Sequence, residues 1–85
     1  MKAIRDTIER MFGEALEQGG HARPGAFEDD MVLLRSGLDS LGFAILVTQL
    51  EQELGYDPFT MMEEAVYPTT FGEFVAIYER FAPKN

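Results

Sequence analysis

The stretch Gly37-Leu38-Asp39-Ser40-Leu41 places a serine at the point where a loop turns into a helix. Beyond it, apolar residues recur at spacings of three and four, which predicts a helix from Ser40 to about Leu54. Asp39 is a good N-cap, because its carboxylate can accept a hydrogen bond from the free amides of the first turn. Ser40 is then the first helical residue, beside amides that suit a phosphate ester. The stretch therefore indicates either a site for a phosphorylated group or a simple helix cap.

Three further segments have helical patterns. Residues from about 2 to 18 carry one apolar stripe, and Gly19-Gly20 ends that helix. The segment from Phe59 to Ala65 predicts a short third helix, while Thr70 and Glu73 have the spacing of a capping box and start the last helix near Phe71. Strand-like alternation is absent from the sequence. The predicted fold is all-α, with three longer helices and one short third helix.

A long loop runs from Gly19 to about Leu38, between the first and second helices. Loops of this length are uncommon unless they are functional or held against the core. We expect apolar residues to hold this one in place: Phe27, Met31, Val32, Leu33 and Leu34.

Length and composition restrict the classes of function. The 85 residues suffice for one domain, 1–85, and the net charge of −8 with scattered Lys and Arg argues against a nucleic-acid partner. The chain has no cysteine, and hence no disulfide or thiolate metal site. No stretch approaches membrane-spanning length and the amino terminus lacks the apolar run of a signal peptide. We therefore expect a cytoplasmic monomer that does not insert into membranes.

The titratable residues do not predict an active site. His21 is the only histidine, in a loop rich in Gly and Pro, and is expected to be solvated, with nothing to place it against Ser40. The adjacent pairs Asp29-Asp30 and Glu63-Glu64 point their carboxylates to different sides, and the first lacks the spacing of a calcium loop. We expect neither a catalytic residue nor a metal ligand among them.

The motif and its surroundings resemble the acyl carrier protein family, which includes peptidyl and aminoacyl carriers. The resemblance is carried by Leu33-Leu34, by Ser36-Gly37-Leu38-Asp39-Ser40-Leu41, and by a helix that ends in Glu51-Gln52-Glu53-Leu54-Gly55-Tyr56. It covers nearly the whole chain in length and helix order, and implies an acyl-carrier-like four-helix bundle. It also implies that Ser40 bears a 4'-phosphopantetheine arm, with Asp39 and Leu41 as its neighbours in the binding motif.

The same resemblance implies that partner enzymes dock on the exposed face of the second helix. Aligned on the motif, Leu46, Leu50 and Leu54 point inward. The docking residues would be Leu41, Ala44, Ile45 and Thr48, with Glu51 at the far end and Met61 and Met62 on the short helix. Carriers of bacterial fatty-acid synthesis have acidic residues early on this face, whereas this chain has Gly42, Ala44 and Ile45. Periodicity leaves open whether Ile45 is exposed or partly covered by a neighbouring helix.

The function that the resemblance implies is that of a stand-alone acyl or aminoacyl carrier in a specialised biosynthetic pathway. A phosphopantetheinyl transferase would move the arm from coenzyme A to Ser40, and an adenylate-forming ligase or acyltransferase would load it for downstream acyl-using enzymes. The chain itself would be non-catalytic. The alternative is a helical protein-interaction module with no prosthetic group, in which Ser40 is only part of a helix start.

Overall fold

Four α-helices, in order along the part of the chain that the structure describes, form a bundle. The computed structural model describes residues 3–22, 24–64 and 67–83. The helices are α1 (Ile4–Gln18), α2 (Ser40–Leu54), α3 (Pro58–Met61) and α4 (Phe71–Arg80), and a 3-10 turn, Leu33–Arg35, precedes α2. The described residues form no strand, only an isolated bridge between Val32 and Thr70. The prediction of an all-α fold with one short third helix is confirmed.

Aromatic rings fill the centre of the bundle. Phe12 of α1 is fully buried, and its ring meets those of Phe27, Phe43, Phe71 and Phe74 edge-on at centroid distances of 5.7 to 6.5 Å. Edge-to-face packing at these distances is the arrangement that aromatic quadrupoles favour. The loop and three helices thus share one core.

The loop between α1 and α2 is bonded to the start of α4. The amides of Phe71 and Gly72 donate to the carbonyl oxygens of Met31 and Asp29, over 2.8 and 2.9 Å. These two amides open a helix and have no partner within it. A Cβ on Gly72 would lie 2.9 Å from Asp29 Cβ, so only glycine allows this approach without a shift.

Arg5 joins α1 to the same loop. Its guanidinium donates to the carboxylates of Glu9 and Asp29 over 2.9 and 2.5 Å, and to the carbonyl oxygen of Phe27 over 2.9 Å. It also lies 5.3 Å from the centre of the Phe71 ring. The hydrogen bonds to the two carboxylates raise the pKa of Arg5 above its ordinary value. One cation therefore connects α1, the loop and α4.

Two of the predicted helices have different boundaries in the structure. The third helix, predicted from Phe59 to Ala65, runs from Pro58 to Met61. It begins earlier because the Asp57 carboxylate caps it by accepting from the Phe59 amide over 2.9 Å, with proline at the first helical position. It ends earlier because Met62 is extended, and Ala65 lies outside the described residues. The first helix begins at Ile4, not residue 2, which is also outside them.

The expectation that five apolar residues hold the loop to the core is correct for three of them. Leu33 is buried, and Phe27 and Met31 are partly buried against the core. Leu34, however, is 90% exposed, and Val32 is exposed as well. The 3-10 turn explains this difference, because its three residues per turn point Leu33 and Leu34 in different directions.

Candidate functional site

Asp39 and Ser40 form the start of α2. Asp39 is extended, and its Oδ1 accepts a hydrogen bond from the Gly42 amide over 2.7 Å, as an N-cap does. Ser40 is the first helical residue and is exposed, and its hydroxyl makes no hydrogen bond to any described residue. The Ser40 side chain is therefore presented at the surface, directly after the cap.

Gly42 leaves room for this cap. A Cβ at Gly42 would lie 3.1 Å from Asp39 Oδ1 and 3.1 Å from Leu38 Cδ1. Leu38 is buried in the core, so the loop residue before the cap is fixed in place. A side chain at Gly42 would therefore be in tight contact with the capping carboxylate and with Leu38.

The loop before Ser40 is tightly folded. The Ser36 hydroxyl donates to the Leu33 carbonyl oxygen over 2.6 Å and accepts from the Leu38 amide over 3.4 Å. Gly37 has a φ of 104°, a conformation that favours glycine. The His21 ring lies against Gly37, since a Cβ there would be 3.1 Å from its Nδ1 atom. His21 is exposed, as predicted, but it is packed on the motif loop as well.

The outward face of α2 is apolar near Ser40. Leu41 is 70% and Ile45 47% exposed, and Ala44 is also exposed. Leu46 and Leu50 are fully buried on the opposite side. Of the two possibilities for Ile45, the structure shows the exposed one.

The remaining predicted docking residues differ in exposure and in the chemical group at the surface: Thr48, Glu51, Met61 and Met62. Thr48 is exposed, but its hydroxyl donates to the Ala44 carbonyl oxygen over 3.0 Å within the helix. Glu51 is exposed. Met61 is 49% exposed and Met62 partly buried, on one side of a groove of about 520 Å³. The groove is lined by α3, the residues after it and the end of α4: Met61, Met62, Glu63, Glu64, Ile77, Arg80 and Phe81.

Two exposed residues shortly before the motif are not among the predicted site residues. Leu34 and Arg35 end the 3-10 turn, and both are exposed. The sequence predicts that Leu34 holds the loop against the core, and it predicts no role for Arg35. They lie six and five residues before Ser40 in the chain.

The described groups with shifted pKa values all lie outside the motif at residues 37–41. The pKa of Glu73 is lowered by hydrogen bonds at the start of α4, and those of Tyr56 and Tyr78 are raised chiefly by burial. Among the residues that the structure describes, no cluster of His, Asp and Glu is arranged to hold a metal ion. The described arrangement presents a hydroxyl with no neighbouring base bonded to it.

Ser40 is thus an exposed residue at the capped start of α2, on a small helical bundle. The family model for the phosphopantetheine attachment site matches residues 3–63, and the chain belongs to this family. The family binds 4'-phosphopantetheine as a prosthetic group, and its carrier domains are generally non-catalytic. No curated protein and no solved structure gives a significant match. None of the described helices has both the length and the hydropathy needed to cross a bilayer.

Proposed function

We propose that this chain is a stand-alone carrier protein and that Ser40 is its attachment site. The main support for this proposal is the Ser40 hydroxyl. It is exposed at the capped start of α2, makes no hydrogen bond to a described residue, and lies within the residues that match the family model. Asp39 holds the helix start, so the position of Ser40 is fixed before any partner arrives. When the arm is attached, its terminal thiol supplies the thioester bond to the cargo.

The attachment reaction uses the Ser40 hydroxyl as nucleophile and coenzyme A as donor. Ser40 Oγ forms a bond to the phosphorus that bears pantetheine, and the bond from that phosphorus to the bridging pyrophosphate oxygen breaks. Adenosine 3',5'-bisphosphate leaves, and the serine proton passes to a base of the phosphopantetheinyl transferase. The chain contributes position rather than catalysis, because no described base is bonded to Ser40.

Intact mass tests this proposal directly. After co-expression with a broad-specificity transferase, the protein should gain the mass of one phosphopantetheine, and Ser40→Ala should abolish the gain. Ser36 is the only other serine of the chain, so Ser36→Ala is the matched control and should still be modified. An unchanged mass of the wild type would leave the alternative, an interaction module without a prosthetic group.

The outward face of α2 supports docking of partner enzymes through apolar contacts. Leu41, Ala44 and Ile45 are exposed beside Ser40. The partners are the transferase, an adenylate-forming ligase or acyltransferase, and downstream acyl-using enzymes. Because this face carries no early carboxylate, the docking contribution from α2 should be less sensitive to salt than it is for a carrier with acids there.

The packing of the core supports a small or polar cargo, such as a short acyl or aminoacyl group held outside the bundle. The rings of Phe43, Phe59 and Tyr78 surround Phe74 at centroid distances of 5.1 to 6.3 Å. Opening space for a long chain among these rings would cost packing energy. Amide NMR shifts of the pantetheine form and of an octanoyl-loaded form test this. Large changes at Leu46 and Phe74 would show that the chain enters the core and would refute the cargo proposal.

A further inference from the structure

The His21 ring joins the end of α1 to the motif loop. A Cβ at Gly37 would lie 3.1 Å from both Cγ and Nδ1 of the ring, and a Cβ at Gly19 would lie 3.4 Å from its Cδ2. The ring therefore covers the bare faces of two glycines, one at the C-cap of α1 and one shortly before Ser40. Because a Cβ at 3.1 Å would be in tight contact, the imidazole and the Gly37 backbone are packed directly against each other.

The backbone of His21 is fixed by a Schellman motif at the end of α1. Gly20 is left-handed, with a φ of 85°, and its amide donates to the Glu17 carbonyl oxygen over 3.1 Å. The His21 amide donates to the Leu16 carbonyl oxygen over 2.9 Å. These are the two hydrogen bonds that define the motif. Leu16 is buried in the core, so the His21 ring projects from an anchored residue.

Gly37 begins the short path from this contact to Ser40. Its φ of 104° is left-handed, and a glycine has no side chain of its own to restrict its dihedral angles. Leu38 follows it into the core, and Asp39 then caps α2. A change in the dihedral angles of Gly37 would therefore shift the cap and the first turn of the helix. The His21 ring opposes this change, because it occupies the space beside Gly37.

We infer that His21 is a positioning residue for arm attachment, whose ring holds the Gly37 turn in the conformation that presents Ser40 to the transferase. The inference rests on the proposed role of Ser40 as the attachment site. The imidazole makes no hydrogen bond to any described residue, so it acts through the packing of its ring. If the turn is loosened, only a fraction of the carrier is competent to bind, and the apparent affinity falls by that fraction.

Steady-state kinetics of arm attachment tests this inference. His21→Ala should raise the KM for the carrier about two- to threefold, the scale of a lost surface contact, and leave kcat unchanged because the bound complex restores the turn. His21→Phe should keep KM near the wild-type value, since it retains a flat ring. His21→Asn should behave as His21→Ala, since it has a polar group but no ring. Gln18→Ala, an exposed position in the last turn of α1, is the matched control and should not change KM.

Amide hydrogen exchange gives a second readout that needs no transferase. The Gly42 amide donates to Asp39 Oδ1, so its exchange rate reports how often the cap at the start of α2 opens. This amide should exchange faster in His21→Ala and at the wild-type rate in His21→Phe. The amide of Leu50, a buried residue further along the same helix, should exchange at the same rate in all three proteins.

Three results would overturn the inference. An unchanged KM in His21→Ala would mean that the ring contact does not position Ser40. A loss in His21→Phe equal to that in His21→Ala would mean that an imidazole nitrogen contacts the transferase instead. Equally faster exchange at Gly42 and Leu50 would mean that the ring stabilises the whole fold. Failure of the proposed function is different, since the wild type would then gain no mass from coenzyme A, while exchange at Gly42 would still respond to His21→Ala.

Discussion

Asp39 Oδ1 lies 2.7 Å from the amide nitrogen of Gly42, so the residue directly before Ser40 also fixes the start of α2. The position of the hydroxyl and the stability of the helix therefore depend on the same side chain. Substitutions of Asp39 can separate the contribution of the capping hydrogen bond to stability from that of the negative charge, since asparagine also caps helices well.

Asp39→Ala should lower the free energy of unfolding by about 1 kcal/mol, because the Gly42 amide loses its acceptor. Asp39→Asn should leave stability nearly unchanged. Chemical denaturation of both variants measures this difference. If the two variants are equally unstable, the carboxylate stabilises the fold by its charge rather than as a cap.

Leu41→Asp and Ile45→Asp should impair arm attachment far more than folding, because both side chains are exposed on the face beside Ser40. Leu46→Asp is the matched control on the same helix, and should lose several kcal/mol because it buries an unpaired charge. Thermal melts and a transferase assay on each variant measure the two effects. A melting transition of Ile45→Asp as low as that of Leu46→Asp would contradict the assigned face.

The stability of α4 should depend on pH through Glu73. The Glu73 carboxylate accepts hydrogen bonds from the amide and hydroxyl of Thr69, over 2.8 and 2.7 Å, and from the Thr70 amide over 3.3 Å. These bonds lower the pKa of Glu73 below its ordinary value of 4.5. The stabilisation is therefore complete above the ordinary pKa and is lost as the pH falls through the lower, folded value.

Melting curves from about pH 6 to about pH 3 measure this contribution. The melting temperature of Glu73→Gln should fall less steeply with acid than that of the wild type, because a glutamine oxygen accepts hydrogen bonds without titrating. Glu79→Gln, an exposed position on the same helix, should retain the wild-type slope. A slope in Glu73→Gln equal to that of the wild type would refute the role of Glu73.

Tyr78→Phe should leave stability unchanged or raise it by up to about 1 kcal/mol. Tyr78 is fully buried, and its hydroxyl has no hydrogen-bond partner among the described residues. The neighbouring Tyr56 hydroxyl does have one, since it donates to the Tyr78 carbonyl oxygen over 2.5 Å. Tyr56→Phe should therefore cost about 1 kcal/mol. Urea denaturation compares the pair, and a larger loss for Tyr78→Phe would show that its hydroxyl has a partner in solution.

The parts of the fold that depend on neighbouring residues could be predicted from sequence. The Asp39 cap, the end of α2 at Gly55 and the capping box of Thr70 with Glu73 all involve residues within one or two helical turns. Spacing and residue type determine such features. The end of α3 is the exception, because no glycine or proline follows Met61 directly to mark it.

Contacts between distant parts of the chain could not be predicted in the same way. Leu33 and Leu34 are the same residue type, and only the direction of the 3-10 turn determines that Leu33 is buried and Leu34 exposed. The packing of His21 on Gly37 joins residues sixteen positions apart in the chain. Periodicity carries no information about such pairs.

The bonds from the start of α4 to the loop bear on where the carrier can be cut or fused. The family match stops at residue 63, before α4 begins. Yet α4 supplies Phe71, Phe74 and Tyr78 to the core, and its first amides hold the loop that leads to Ser40. The boundary of the family match is therefore not the boundary of the folding unit. A fragment that is to fold by itself, for example as part of a fusion protein, therefore has to extend through Arg80, well beyond the residues by which the family is recognised.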